Sequence, residues 1–475
     1  MSKTIGWDRR LRVAATGRNQ VGHAGAVLLR ACADRSGLTA ALSQVMPSST
    51  AAGWWDRGVT LVSTAVAIVL GAVNLSDCER LWAQQVAVFG APASDSTIHR
   101  TLAVTGEELL ARISRARAKV RRHVWSLLRL RPGGFPWLVV AGKRLTGWVV
   151  IDIDATLITA HSGKEGAAVT FKKTWGHHPL AAWCANTSEC LAMVLRAGNA
   201  GSNTVADHLA VLAEALRQVP GSSAAKILVR VDGAGATHEL LEHLQSLNTM
   251  RRTVRYTVGW KITDADERAI ATLPEEVWAV SLHQDGREQE EYGIAELTGL
   301  NTRTGRPEGM RLLVRRTRWS ARHVKKLTPF ELKTGWRYQI IATNIGRMWG
   351  IAGSHHPQWL DVLHRAHAGV EDRVRTNKAM GLGKLPSKSW EVNCGWVLAA
   401  NLAADLDAWT RLLGLHDIDD LADAEPGTLR YRLLHLPGKL TRHARTRTLA
   451  IAADWPWANA FTTCWNRITS LPAPT

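Results

Sequence analysis

The sequence predicts an α/β protein: an α/β domain carrying a β-rich insertion and preceded by a helical N-terminal domain. Three observations carry this. Residues 1 to about 130 are dominated by Ala, Leu and Arg, with few β-branched runs. From Gly147 the texture changes to short apolar strand-like runs alternating with amphipathic stretches. Residues 261 to about 335 are then polar and less regular, with three short strand-like runs. At 475 residues the chain has room for two or three domains and a sizeable core.

Taken in order, the first distinctive element lies between Arg57 and Asp77, GVTLVSTAVAIVLGAVNLS, which carries no charge. Its length is marginal for a membrane span. It holds two Gly, two Ser, two Thr and an Asn and has no aromatic belt, so it reads as a buried helix and no membrane is expected as a partner. Next, APASDSTIHRTLA has the look of the second half of a helix-turn-helix. Ser94 or Asp95 would cap the helix, with Thr97, His99 and Arg100 in its first turns. A capped surface helix would read the same way. Residues 111–131 carry eight Lys and Arg and no acid. Arg112, Arg115, Lys119 and Arg122 recur on one side at helical spacing, as phosphate contacts would require. The alternative is a solvated helix face, although so long an acid-free run repels itself. RPGGFP then breaks the helix as a linker.

GWVVIDIDATLI reads as a strand, and HPLAAWCAN and CLAMVLRAG as two more, joined in a hairpin through Thr187–Ser188. NTVADHLAVLAEALRQV is an amphipathic helix, AKILVRVDG a buried strand, THELLEHLQSL a helix and RRTVRYTVGW a strand. That order, β-β-β-α-β-α-β, is the order of a ribonuclease-H-like domain. EVWAV, EYGIAEL and MRLLVRRTRW follow as short strands, then WRYQIIATNI as a firm one. A helix containing Glu371 ends near Gly381 and Gly383, a long apolar helix starts at WEVNCG, and the tail is basic again. The expected segments are 1–135 for a helical DNA-binding domain, 146–260 and 336–420 for the two parts of the catalytic core, 261–335 for the insertion and 421–475 for the tail.

Net charge is +18 and the pI about 10.1, a balance that favours a polyanionic partner. A GC-rich genome that uses Arg heavily is the bland alternative, but the basic residues are clustered. The six cysteines show no CxxC or zinc-ribbon spacing, which suits free thiols in a reducing cytoplasm. The N-terminus, MSKTIGWDRRLR, has no signal-peptide pattern.

Three carboxylates stand out. Asp154 and Asp232 each end an apolar strand-like run, and Glu371 sits in a helix-like stretch. Hard divalent cations want carboxylate oxygen, and two such ions suit phosphoryl transfer. Asp152 shares a strand face with Asp154, and a salt bridge to arginine is the alternative reading of either. At about 100° per residue, His364, His367, Glu371, Arg375 and Lys378 fall on one stripe of a continuous helix. His364 and His367 with Glu371 could also be read as a zinc site, though no cysteine or third histidine is placed to complete it.

At these residues the chain resembles a DDE transposase of bacterial insertion sequences, in the insertion sequence 1380 group. The resemblance covers nearly the whole chain and rests on DIDATLI, KEGAAVTFKKTWGHHPLAA, VRVDGAGATHELLEHL and the E-x6-K of EDRVRTNK. It implies that Asp154, Asp232 and Glu371 are the catalytic, metal-holding carboxylates and that Lys378 is the Lys of a Tyr-Arg-Glu-Lys signature. Where that signature has Tyr and Arg, this chain has His364 and His367, which puts a phosphate-gripping role there in doubt; Arg365 would serve in another register. The long interval between Asp232 and Glu371 is filled in similar transposases by a β-rich insertion. Also implied are hydrolysis at the transposon end and attack of the freed 3′-OH on target DNA. Mg²⁺ is the expected ion, two per site, with Mn²⁺ as a substitute. The partners implied are double-stranded terminal-repeat and target DNA and a second copy of the chain in a synaptic dimer, in a bacterial cytoplasm at the nucleoid. Trp260, Trp319 and Trp336 border the insertion and are candidates for stacking on an unpaired base, against the plainer reading of core packing. Two other functions stay open: an inactive or domesticated DNA-binding protein, and a metal-dependent nuclease without strand transfer.

Overall fold

In the computed structural model, which describes residues 11–48, 53, 55–201, 204–301, 307–321 and 324–474, nine strands pair into one sheet. In chain order they are β1 (Trp148–Ala155), β2 (Leu180–Cys184), β3 (Cys190–Val194), β4 (Lys226–Val231), β5 (Thr253–Trp260), β6 (Ala279–Leu282), β7 (Glu288–Glu296), β8 (Arg311–Arg318) and β9 (Trp336–Thr343). The helices that matter below are α1 (Arg57–Val69), α2 (Asp95–Ala103), α3 (Glu107–Leu130), α4 (Val205–Gln218), α5 (His238–Ser246), α6 (Pro357–Arg365), α7 (Val370–Asn377) and α8 (Trp390–Thr410).

Across the sheet the order is β6-β7-β8-β9-β5-β4-β1-β2-β3. β1, β2 and β3 form an antiparallel meander, while β4 and β5 add in parallel on the other side of β1. With α4 before β4 and α5 before β5, the β-β-β-α-β-α-β order read from the sequence is present. β1 is buried from Trp148 to Ile153, as a strand covered on both faces must be. Ser188 turns the β2–β3 hairpin in the left-handed region, at φ +59.

The strands expected within 261–335 are present, but they do not make a separate sheet. β9 pairs antiparallel with both β5 and β8, so β6, β7 and β8 extend the edge of the same sheet. Sequence reading shows strand runs but not which edge they join, because pairing partners are chosen in three dimensions.

The N-terminal helices are likewise part of the same body. One apolar core contains Leu28, Ile68, Leu102, Val124, Ile151, Val229, Trp396 and Leu433. α1 takes up the first two thirds of the uncharged segment and is buried along most of its length. Among the described residues no helix is long and apolar enough to cross a membrane. α2 and α8 approach so closely that a Cβ on Gly395 would lie 2.5 Å from the Leu102 carbonyl oxygen.

The basic run proves two-faced. Arg112, Arg115, Lys119, Arg122 and Arg129 are exposed along α3, but Arg117 and Arg121 are buried on its inner face. Arg121 donates to Glu189 (2.7 Å) and Asp405 (2.8 Å), and to Gln218; Arg117 donates to Asp405 (2.8 Å). Glu189 also accepts from the Trp125 and Trp409 indoles, both at 2.7 Å. The cluster ties α3 to the β2–β3 turn, α4 and α8. The expected self-repulsion of the run is therefore partly relieved by acids distant in sequence.

Beyond α8, the basic tail contains a hairpin, Gly438–His443 with Thr446–Ile451, whose first strand pairs with Gln20–Val21. It went unread because most of its residues are exposed and show no apolar alternation. α2 begins at a Ser94 cap, whose hydroxyl accepts from Thr97 N at 3.3 Å. Ser94→Ala should cost about 1 kcal/mol in urea unfolding; an unchanged midpoint would discard the cap.

Candidate active site

β1 and β4 run parallel with Arg230 opposite Asp152 and Val231 opposite Ile153. One residue further, Asp232 follows the end of β4 beside Asp154 on β1, with strands about 4.8 Å apart. Two carboxylates separated by many residues are thus brought together by strand register. The buried ion pair fixes this pairing, since a slip by one residue would part Arg230 from Asp152 opposite it, to which it donates at 2.7 and 2.9 Å.

The third carboxylate is positioned through Asp152. This residue is fully buried and accepts from Arg230 (Nε 2.7 Å, Nη2 2.9 Å) and Arg373 (Nη1 2.8 Å), with His367 Nδ1 at 3.1 Å. Burial alone would raise its pKa; Arg230, then His367 and Arg373, hold it well below the usual carboxylate range. His367 and Arg373 bracket Glu371 in the chain, so their bonds to Asp152 hold the beginning of α7 against the end of β1. Asp152 is therefore a positioning residue, fully engaged as the anion of a buried cluster.

Asp154 is half-buried, and its Oδ1 accepts from Ala155 N at 2.8 Å. Burial and then the neighbouring Asp232 push its carboxyl up to about 6; Glu371 adds to the push while His367 and the Ala155 amide oppose it. Asp154, Asp232 and Glu371 are thus electrostatic neighbours, with Asp232 and Glu371 exposed to solvent. Lys378 belongs to the same neighbourhood: burial and Lys172 lower its ammonium pKa, and Asp154 raises it.

The donor set is three carboxylates, which suits a hard divalent cation, and gathering like charges in a half-buried place is what such an ion relieves. Among the described residues, no group of three or more His, Cys, Asp or Glu side chains stands close enough together to hold a metal as the side chains lie.

The other expected residues fall in several places. The stripe from His364 to Lys378 is not on one continuous helix, since a 3-10 turn at Ala366–Gly369 separates α6 from α7; even so His364, His367, Glu371 and Lys378 all lie in the electrostatic neighbourhood of Asp152 and Asp154. His364 lies 3.2 Å from Thr257 Oγ1, and burial pushes its pKa down to about 3, so the ring is neutral at physiological pH. Arg375 is exposed and paired with Asp372 (2.5 Å) and Glu425 (2.7 Å). Thr97 is half-buried, its hydroxyl accepting from Arg100 Nη2 at 3.3 Å, while His99 and Arg100 face solvent.

Of the tryptophans, Trp260 is half-buried beside His238, with ring centroids 5.9 Å apart. Trp319 is half-buried. Trp336 is half-buried under two guanidiniums, Arg318 at 3.7 Å and Arg316 at 4.6 Å from its ring centre.

Sequence reading missed Arg230, Arg373 and Lys172. For Arg230 there was a signal: an arginine inside the apolar run KILVRV needs an acid, and Asp152 needed a base.

The chain belongs to the family described as transposase DDE domain group 1, whose model matches residues 3–473. No curated protein matches the chain. A solved structure, the cryo-EM structure of a piggyBac transposase synaptic complex with hairpin DNA, matches 85% of this chain and 78% of that one, at 11% identity and a TM-score of 0.37.

Proposed function

We propose that this transposase cleaves phosphodiesters at transposon ends and joins the freed 3′-OH to target DNA, on a core of ribonuclease-H-like order and as a member of the insertion sequence 1380 group. The observation that carries this reading is the β1–β4 register, which sets Asp232 beside Asp154 with Glu371 close enough to act on the same carboxyl. Asp154, Asp232 and Glu371 are the residues that would hold Mg²⁺, or Mn²⁺ in its place. Such ions, when bound, stabilise charge on the attacking and leaving oxygens.

The chain's own residues then have distinct tasks. Lys378 offers a cation beside Asp154 for a phosphate oxygen. His364 does not share that task, being neutral, and His367 works through Asp152 to hold α7. Arg375, paired with two acids, is a surface contact of α7. His99 and Arg100 on α2, with Thr97, would meet base edges, and the exposed face of α3 would track phosphates. Two ends must be held at once, so a homodimer on DNA is the working unit, in a bacterial cytoplasm at the nucleoid.

The test is an assay with Mg²⁺, a labelled duplex carrying the terminal repeat that flanks the reading frame, and a target plasmid. Cleaved ends joined to plasmid are expected. Binding without cleavage would instead mean a DNA-binding protein, and cleavage without joining a nuclease.

The α3 face makes a separate prediction. Replacing Arg112, Arg115, Lys119 and Arg122 together with Ala should weaken binding to specific and random DNA alike. It should flatten the slope of log K against log salt by about 0.9 per lost contact, roughly 3–4 in total. An unchanged slope would remove this face from the interface.

A further inference from the structure

The connection between β1 and β2 leaves the sheet at the carboxylate end and folds into a small sheet of its own. Asp154 pairs with Ala181 and Ala155 with Leu180; just beyond, Ile158–Thr159 pairs with Gly176 and His177, and Ala168–Val169 pairs with Gly176 and Trp175. The base of this hairpin is bolted to the start of α8. Lys164 Nζ donates to the carbonyls of Leu385 (2.7 Å) and Ser387 (2.9 Å), and Glu165 accepts from Trp390 N at 2.6 Å. Gly166, at φ +75, lies against the Trp390 ring, and a Cβ there would meet it at 2.4 Å.

The tip is closed just as tightly. Thr170 N donates to Thr174 O and Lys173 N to Thr170 O, each at 2.8 Å, with Lys173 in the left-handed region at φ +60. What the tip displays is unusual for such a well-anchored element. Phe171 is 71% exposed, Val169 50% and Trp175 48%, and Lys172 and Lys173 are exposed beside them. No acidic residue occurs between Glu165 and Glu189. An apolar tip flanked by cations fits a polyanion with apolar faces inside, which describes a nucleic acid with its bases.

We propose that residues 168–177 form a finger that enters the DNA beside the scissile phosphate, with Phe171 stacking where a base is displaced and Lys172 and Lys173 gripping the flanking phosphates. This rests on the reading of Asp154, Asp232 and Glu371 as the cleavage site. The finger springs from the strand that carries Asp154: β1 runs from that carboxylate into Ile158–Thr159, and Asp154 and Ala155 pair with Ala181 and Leu180 at the start of β2, to which the finger returns. Rigidity is part of the fit: a tip held by its own hydrogen bonds and by α8 loses little freedom on inserting.

The test uses the full-length protein and two labelled transposon-end duplexes, one fully paired and one unpaired at the cleavage junction. Wild-type cleavage of both checks the underlying site reading; cleavage of neither would defeat that reading and this one with it. Phe171→Ala should then cut the paired end about five- to hundredfold more slowly, the range expected for one lost base–aromatic stack. It should cut the unpaired end within about twofold of wild type, because the opening is already made. Lys172→Ala with Lys173→Ala should weaken binding to both duplexes equally. If Phe171→Ala slows both ends alike, or neither, the finger does not open the DNA. If it leaves cleavage intact but dissociates a dimer in sedimentation, the tip is a contact between copies instead.

Discussion

Asp232→Asn should leave binding to terminal-repeat DNA within about twofold of wild type and lower end cleavage by about a thousandfold or more, since a divalent ion at such a site supplies several kcal/mol of charge stabilisation. The reason lies in where Asp232 stands. It follows the last residue of β4, exposed, beside Asp154 across the parallel pairing, so the amide fits the same space. The change removes one of the like charges that push the Asp154 carboxyl up to about 6. The variant should therefore fold at least as well as wild type while losing an anionic oxygen donor. Gel-shift titration and cleavage of a labelled end, run side by side, check both halves. Cleavage near the wild-type rate would rule out a carboxylate-held metal mechanism, whatever the binding.

The second large effect is on stability. Arg121→Met should destabilise the protein by about 3–5 kcal/mol in urea unfolding, because it leaves the buried Glu189 without its cation and Asp405 with Arg117 alone. Glu189 and Asp405 are both fully buried. Burial alone would raise the Glu189 pKa, and Arg121, with hydrogen bonds from Thr187, Trp409 and Trp125, brings it below its usual range. Removing the guanidinium reverses that balance. The adjacent Arg122 is exposed, and Arg122→Ala should stay within about 0.5 kcal/mol of wild type. If the two variants unfold at the same midpoint, the cluster is not what joins α3 to the sheet.

Much of this protein could be read from the chain alone. The strand and helix order from β1 to β5 followed from runs such as VVIDI and KILVRV, whose apolar residues have only one way to be buried. Asp154 and Asp232 announced themselves because a carboxylate at the end of an apolar run has to be explained by a partner. The exposed positions of α3 were legible from their spacing, which a helix converts directly into a face. Composition did the same for net charge.

What tertiary structure decided was every question of pairing. Arg112 and Arg121 read alike in the sequence, yet one faces solvent and the other sits in a buried cluster, because Glu189 and Asp405 arrive there from distant segments. The step from α6 to α7 runs through a four-residue 3-10 turn, and His367 in that turn and Arg373 beyond it both bond to Asp152, a connection that no periodicity shows. The exposed finger was hidden inside a motif that periodicity could not interpret, since Phe171 looks like core until its surroundings are known. Local sequence sets which dihedrals and faces are favourable, and it does so at short range. Which charge meets which, and which aromatic is left outside, depends on contacts between residues far apart in the chain, and those are settled only when the whole core closes.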